Sequence, residues 1–130
     1  IRGRSPSRGL GEVYKGQPFM SQKMKWETSA TPLNNEQELR KNVSVDNIER
    51  RVLKNSFYVP PNPTDHISIG KIARIKEGVK QGVAFQPITI GFAMNKKDIT
   101  FTDGRHRFAV AREMGLKSIP AFMYKEAEMP

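Results

Sequence analysis

The sequence lacks cysteine altogether and has a single tryptophan among its 130 residues. Without a thiol, disulfides, zinc thiolate centres and a cysteine nucleophile are excluded, so any catalysis must use other side chains. No apolar run approaches the roughly 20 residues that span a bilayer, and no signal-peptide core is visible. We therefore expect no membrane partner.

Acidic side chains are also scarce. Lysine and arginine number 22 against 13 aspartates and glutamates, which gives a net charge of +9 and an isoelectric point near 10.0. Such an excess favours nucleic acid or a nucleotide as the partner. The alternative is a basic fragment of a longer protein that an acidic partner neutralises. The length suits one globular domain.

The first 42 residues are predicted to form an N-terminal arm, a linker and a short helix. Residues 1–22 are rich in glycine, proline, serine and basic residues without periodicity, so we assign them no regular structure. Because Ile1 opens what looks like a linker, we expect a C-terminal piece of a larger protein. A weak alternation around Trp26 predicts a short edge strand, with Trp26 anchoring the arm on the core rather than stacking on a base. Asparagine caps, early acids and late bases predict a helix over 32–41.

The rest of the chain alternates between strand and helix patterns, which predicts a small α+β (mixed α/β) domain over 43–130. A connector with three prolines precedes the first long helix, and Asp65 is the simplest N-cap for that helix, with Ser68 as its competitor. The expected elements are a strand at 43–48 with a turn capped by Asp46 or Asn47, a helix from about Ile67 to Gly82, strands at 85–92 and 99–102 joined by a turn at 95–98, a helix from Gly104 to Gly115, and a strand at 118–124.

The most informative segment is Asp103-Gly104-Arg105-His106-Arg107, where an alternating strand turns directly into a helix. A helix N-terminus offers unpaired backbone N–H groups and the positive end of the macrodipole, so anions bind there readily. Arg105 and Arg107 would clamp phosphate through their guanidinium groups. Their helical spacing turns them apart, so one of the two is expected to point to solvent.

His106 and Asp103 are the candidates for catalysis, together with Arg107. Flanking arginines disfavour the cationic form of His106, which suits a neutral general base; the alternative is a structural histidine. Asp103 could cap the helix by accepting an N–H bond, or it could hold Mg²⁺ or orient a water molecule.

Five further residues are weaker candidates. Lys71 and Arg74 on the earlier helix would widen a basic phosphate-binding surface, and Arg112 adds a cation on a different side of the later helix. Solvated helix faces are the alternative explanation for all three. Asp65 and His66, just after the proline connector, are second-rank candidates for the same site.

These motifs together resemble the ParB/sulfiredoxin superfamily over about residues 43–124. The resemblance rests on the turn at 103–107 and on its surroundings: Gln86-Pro87-Ile88 before one strand, Ala109 and Ala111 in the helix, and Gly115 with Ile119-Pro120 before the last strand. It implies a small α/β fold in which the turn binds the phosphate of a nucleotide or a nucleic acid. Residues 43–130 would then be the catalytic or nucleotide-binding domain.

Departures from the family narrow the expected function. Sulfiredoxin chemistry needs a cysteine where Arg105 stands, and the long helical DNA-binding region of partition proteins does not follow the last predicted strand. The leading hypothesis is a nuclease toxin domain of a secreted bacterial effector. It would act in the target-cell cytoplasm on DNA in preference to RNA, with Mg²⁺ as a candidate cofactor and an acidic immunity protein as a partner. The alternatives are an ATP- or CTP-dependent phosphotransferase or hydrolase, and a non-catalytic nucleic-acid-binding module.

Overall fold

A computed structural model describes residues 23–32, 34–55, 58–92 and 97–127. Within these ranges the chain forms three helices and two β-sheets, in the mixed order of an α+β domain, which confirms the expected fold class. In chain order the elements are β1 (Lys25–Trp26), β2 (Gln37–Ser44), α1 (Val45–Arg51), α2 (His66–Gln81), β3 (Ala84–Phe85), β4 (Ile88–Phe92), β5 (Ile99–Asp103), α3 (Arg105–Glu113) and β6 (Ser118–Tyr124).

The main sheet has four strands in the order β2-β6-β4-β5. β6 lies inside the sheet, antiparallel to β2 and parallel to β4, and β4 pairs antiparallel with β5. Five consecutive residues of β6 are buried, as expected for a strand that is covered on both faces. β4 and β5 bury alternate residues, which is the pattern of strands with one face toward the core.

β2 corrects the helix predicted over 32–41, which is wrong. Gln37–Ser44 is an eight-residue strand, and Leu39 and Val43 pair with Phe122 and Ile119 of β6. The charge gradient that favoured a helix is a local and weak signal, whereas pairing with the buried β6 is a long-range gain that the local sequence does not carry. The expected division at residues 42 and 43 falls inside this strand, so residues 37–42 share a sheet with the rest of the fold.

The strand predicted at 43–48 is also wrong beyond Ser44. α1 begins at Val45, and the Ser44 hydroxyl accepts the Asn47 N–H at 3.2 Å, so Ser44 is the N-cap in place of Asp46 or Asn47. Val45 and Ile48 are both buried and lie three residues apart, which is a helical spacing. In so short a segment, the alternation of apolar and polar residues around Val45 resembles that of a strand.

The β run predicted at 85–92 is divided, because Phe85 ends β3 of the two-stranded sheet and Ile88 begins β4 of the four-stranded sheet. The other predicted elements are confirmed. α2 begins after Asp65 and ends at Gly82, whose φ of 76° is the left-handed conformation typical of a helix C-terminus. β1 pairs in parallel with β3, and Trp26 packs against the core with its ring centroid 6.3 Å from that of Phe85. The arm at 1–22 and residues 95 and 96 of the turn at 95–98 lie outside the described residues.

The strand-to-helix turn is the part of the fold that positions the site. Gly104 separates β5 from α3 with a φ of 93°, and a Cβ there would lie 2.7 Å from Cγ2 of Ile88. Only glycine fits this close approach. Phe108 then packs on Phe101 of β5, with ring centroids 5.0 Å apart, which seats α3 on the sheet.

No helix in the described part of the chain has the length and apolar character needed to cross a membrane.

Candidate functional site

A cavity of about 620 Å³ opens where α2 faces the turn between β5 and α3. Gly104 and Ile75 contribute to its wall, with the ring of Phe101. Its polar lining is dominated by positive charge, and the cationic residues that line it are Lys71, Arg74, Arg105 and Arg107. Four cations around a helix N-terminus create a positive potential suited to an oxyanion with several negative charges.

The two arginines of the turn both reach this cavity. Arg105 and Arg107 both line the cavity. Because the cavity is open, the expectation that one of the two points to solvent stays a prediction. Lys71 and Arg74 come from the opposite wall, three residues apart on one exposed face of α2. Two elements that are distant in the chain thus supply the charge.

Arg107 is incompletely satisfied. Its Nη2 donates to the Pro87 carbonyl and to an Asp103 carboxylate oxygen, both at 3.3 Å, which is long for a charged pair. Its Nε is buried and has no hydrogen-bond partner among the described residues. A buried donor without an acceptor costs free energy, so the fold gains less from Arg107 than from an arginine whose donors are all paired.

His106 is the buried member of the site, 7% exposed, and its Nε2 lies 2.9 Å from Oγ of Ser68 in α2. Burial lowers the pKa of His106, and the nearby charges of Arg105 and Lys71 lower it further, against a smaller opposing effect of Asp65. The neutral imidazole is favoured, in the direction expected from the flanking arginines, although desolvation is the larger cause. Because Nε2 is bonded to Ser68, Nδ1 is the ring nitrogen that is left to act on a substrate.

Asp103 does not cap α3, so that alternative is wrong. The N-cap is Gly104, which offers no side chain, and the Asp103 carboxylate pairs with Arg107 one helical turn away. Its side chain is 69% exposed.

No group of three histidine, aspartate or glutamate side chains gathers anywhere in the described ranges. Asp103 is the carboxylate in the cavity lining, and Mg²⁺ is often held by one or two carboxylates together with water and substrate phosphates. Mg²⁺ therefore stays a candidate cofactor, with Asp103 as the residue that would hold it.

Arg112 lies outside the cavity. Its guanidinium donates to Glu49 at 3.0 Å and to the Val59 carbonyl at 2.9 Å, and it contacts the Tyr58 hydroxyl at 3.4 Å. These bonds tie the last turn of α3 to α1 and to the segment before α2. The structure therefore gives Arg112 a fold-stabilising position rather than a place among the phosphate-binding cations.

Asp65 and His66 stand at the start of α2. Asp65 is the N-cap and accepts the Ser68 N–H at 2.8 Å, as predicted, while His66 is exposed and does not line the cavity. Sequence reasoning missed Ser68, which it treated only as a competing cap. Its position in a first helical turn was visible, but the contact with His106 joins residues 38 apart and leaves no local signal.

Comparison with known proteins identifies no relative: no protein-family model, no curated protein and no solved structure matches this chain. The fold and the site define it as a small α+β domain with a cation-lined cavity at a strand-to-helix turn.

Proposed function

We propose that this domain is a nuclease of the ParB/sulfiredoxin type that its motifs resemble, and that it cleaves nucleic-acid phosphodiesters in the cationic cavity. One observation carries the proposal: the cavity gathers four cations around His106, whose pKa is lowered by burial and by neighbouring positive charge. A neutral imidazole beside a bound phosphate can act as a general base, and the surrounding cations can stabilise the charge of the transition state.

The phosphate would sit at the first turn of α3. The guanidinium of Arg107 and the helix N-terminus would bond its oxygens, while Lys71, Arg74 and Arg105 offset the charge that grows as phosphorus becomes five-coordinate. Water attacks phosphorus and loses a proton to Nδ1 of His106. The bond from phosphorus to the leaving oxygen then breaks, and solvent protonates that oxygen.

The exposed face of α2 supports a polynucleotide substrate. Ile67, Lys71 and Arg74 follow one another at helical spacing on this face, and Ile67 is an exposed large hydrophobic residue. A strand leaving the cavity along α2 would place a backbone phosphate near the cations and an apolar base surface near Ile67. DNA is the first substrate to test and RNA the second.

The size of the cavity favours one alternative. A volume of about 620 Å³ falls within the range that small-molecule ligands occupy, so a free nucleotide could fill the same cradle. The domain would then be an ATP- or CTP-dependent phosphotransferase or hydrolase. Release of phosphate from ATP or CTP by a protein that leaves plasmid and RNA intact would establish this alternative in place of the nuclease.

The biological setting proposed with the nuclease is that of a toxin domain. A bacterial effector would deliver it into the cytoplasm of a target cell, and an immunity protein would protect the producing cell. The net charge of +9 supports an acidic immunity partner, because complementary charge speeds association and fixes orientation.

The test incubates purified protein with plasmid DNA, tRNA and total RNA, in Mg²⁺ and in EDTA. His106→Ala and Arg107→Ala are the informative variants, and Lys80→Ala, an exposed cation of α2 outside the cavity, is the matched control. We expect cleavage by wild type and Lys80→Ala, and a loss of about 100-fold or more in both cavity variants. Binding that survives His106→Ala, with no cleavage by any variant, would instead support a non-catalytic nucleic-acid-binding module.

A further inference from the structure

The cavity beside α3 has an apolar part that a phosphate alone does not explain. Ile75 of α2 and Phe101 of β5 line it together with the four cations. Phe101 is 6% exposed and packs on Phe108, and Ile75 packs against the core, so the fold holds both side chains in place. An oxyanion gains nothing from contact with these two side chains. The lining therefore fits a ligand that carries an apolar surface next to its negative charge.

The size of the cavity favours the same kind of ligand. Its volume of about 620 Å³ lies within the range of roughly 300 to 1,000 Å³ that is typical of pockets for small organic molecules. A single phosphate group at the first turn of α3 would leave most of this space to water, including the space against Ile75 and Phe101. A whole nucleotide joins a phosphate to a base with an apolar face, so it can contact the cations and the apolar lining together.

Base pairing determines which nucleic acid can supply such a nucleotide. In a duplex, neighbouring bases cover both faces of each base and its partner covers the polar edge, so the cavity could receive only phosphate and sugar. In a single strand, a base can leave the stack without breaking a base pair. Enzymes that must reach a base therefore act on single strands or extrude the nucleotide from the duplex first.

We propose that the cavity accepts one unpaired nucleotide, with its phosphate at the first turn of α3 and its base against Ile75 and Phe101, so that the site selects single-stranded nucleic acid. The inference deepens the proposed function and rests on it for cleavage, but not for binding. Because an apolar lining contacts the face of a base rather than its edge, we expect little preference for sequence.

Charge alone predicts the opposite preference. A duplex carries the denser phosphate charge, so a basic surface that reads only charge binds it at least as strongly as a single strand. Tighter binding of the single strand would then come from contacts with its bases. The preference between single strand and duplex therefore separates a cavity that receives a nucleotide from a surface that attracts phosphate.

Fluorescence anisotropy measures the binding of oligonucleotides of roughly 12 nucleotides to the full chain in EDTA. Wild type and His106→Gln, which lacks the proposed base, are both used. The ligands are a single strand, its duplex, the same strand with abasic sites that keep its phosphates, and a free nucleoside monophosphate as competitor. We expect the single strand to bind about 10-fold more tightly than each of the others. Binding of the duplex, the abasic strand or the monophosphate as tight as that of the single strand would overturn the inference.

Ile75→Ala tests the apolar contact itself. We expect it to lower the affinity for the single strand to about that for the abasic strand, and to leave the affinity for the abasic strand unchanged. Ile69→Ala, at an exposed isoleucine of α2 outside the cavity lining, is the matched control and leaves both affinities unchanged. Circular dichroism checks that Ile75→Ala is folded, and the abasic strand tests the same contact without any substitution. Full affinity of folded Ile75→Ala for the single strand would contradict the inference.

Cleavage of a hairpin distinguishes this inference from the proposed function. We expect wild type to cut the loop about 10-fold faster than the stem or more. Cleavage of the stem as fast as that of the loop would overturn the inference and leave the nuclease proposal intact. Preferred binding of the single strand without cleavage of any substrate would contradict the nuclease proposal, and the inference would stand.

Discussion

Arg107 lies in the first turn of α3 and Arg112 in its last turn, and the two side chains are buried to a similar degree. The side chain of Arg107 is 19% exposed and that of Arg112 is 17% exposed. Arg112 has short bonds to Glu49 and to the Val59 carbonyl, whereas Arg107 has two bonds at 3.3 Å and a buried Nε without a partner in the described part of the molecule. A buried cation that the fold satisfies stabilises the fold, while one left unsatisfied is available to a ligand.

The largest expected effect concerns the two glycines that flank α3, one beside the turn that carries Arg107 and one after the turn that carries Arg112. Gly104 and Gly115 both have positive φ, but a Cβ at Gly104 meets Ile88 and Arg107 within 3.0 Å, whereas a Cβ at Gly115 meets nothing within 4 Å. We expect Gly104→Ala to lower the free energy of unfolding by about 2 to 4 kcal/mol, and Gly115→Ala by about 1 kcal/mol. Urea denaturation measures both, and equal losses would show that the close approach at Gly104 is not tight.

The two arginines give the next largest effect. Arg112→Ala leaves the Glu49 carboxylate and the Val59 carbonyl without their donor, so we expect a loss of about 2 kcal/mol in the free energy of unfolding. Arg107→Ala removes a poorly satisfied group, and its loss is expected to stay below about 1 kcal/mol. Thermal and urea unfolding of the two variants side by side provide the measurement. A greater loss in Arg107→Ala would reverse the comparison.

The pH dependence of stability gives the smallest effect. Burial, and then Arg105 and Lys71, lower the pKa of His106 from its ordinary 6.5. The unfolded chain therefore takes up a proton there before the folded chain does, so stability is full above pH 6.5 and falls as the pH drops below it. Urea denaturation at about pH 7.5 and 5.5 is expected to show this loss in wild type and in Arg112→Ala, and to show less of it in His106→Gln. An unchanged loss in His106→Gln would assign it to other groups.

Much of the site could be predicted from local patterns in the sequence. The turn through Gly104, the cap by Asp65 and the end of α2 at Gly82 were predictable, because each depends on residues that are close in the chain. Lys71 and Arg74 of α2, which the sequence suggested as neighbours of the turn, line the cavity with it, although a solvated helix face is the more usual explanation of such charges.

Contacts between distant segments were not predictable. The strand Gln37–Ser44 exists because β6 pairs with it, and its own charge pattern is typical of a helix. Likewise, the bonds of Ser68 to His106 and of Arg112 to Glu49 cross 38 and 63 residues. Periodicity reports which face of an element is apolar, but it does not report which polar groups meet when two elements pack.

Our central proposal is that Arg107 binds phosphate and that Arg112 does not. The most direct measurement is an NMR titration of the arginine Nε–H resonances with inorganic phosphate, because both arginines are then observed in one sample. The account predicts that the Arg107 Nε–H signal moves downfield with saturating phosphate while the Arg112 signal stays in place. A stationary Arg107 signal, or a movement confined to Arg112, would contradict the assignment of the cavity as a phosphate site.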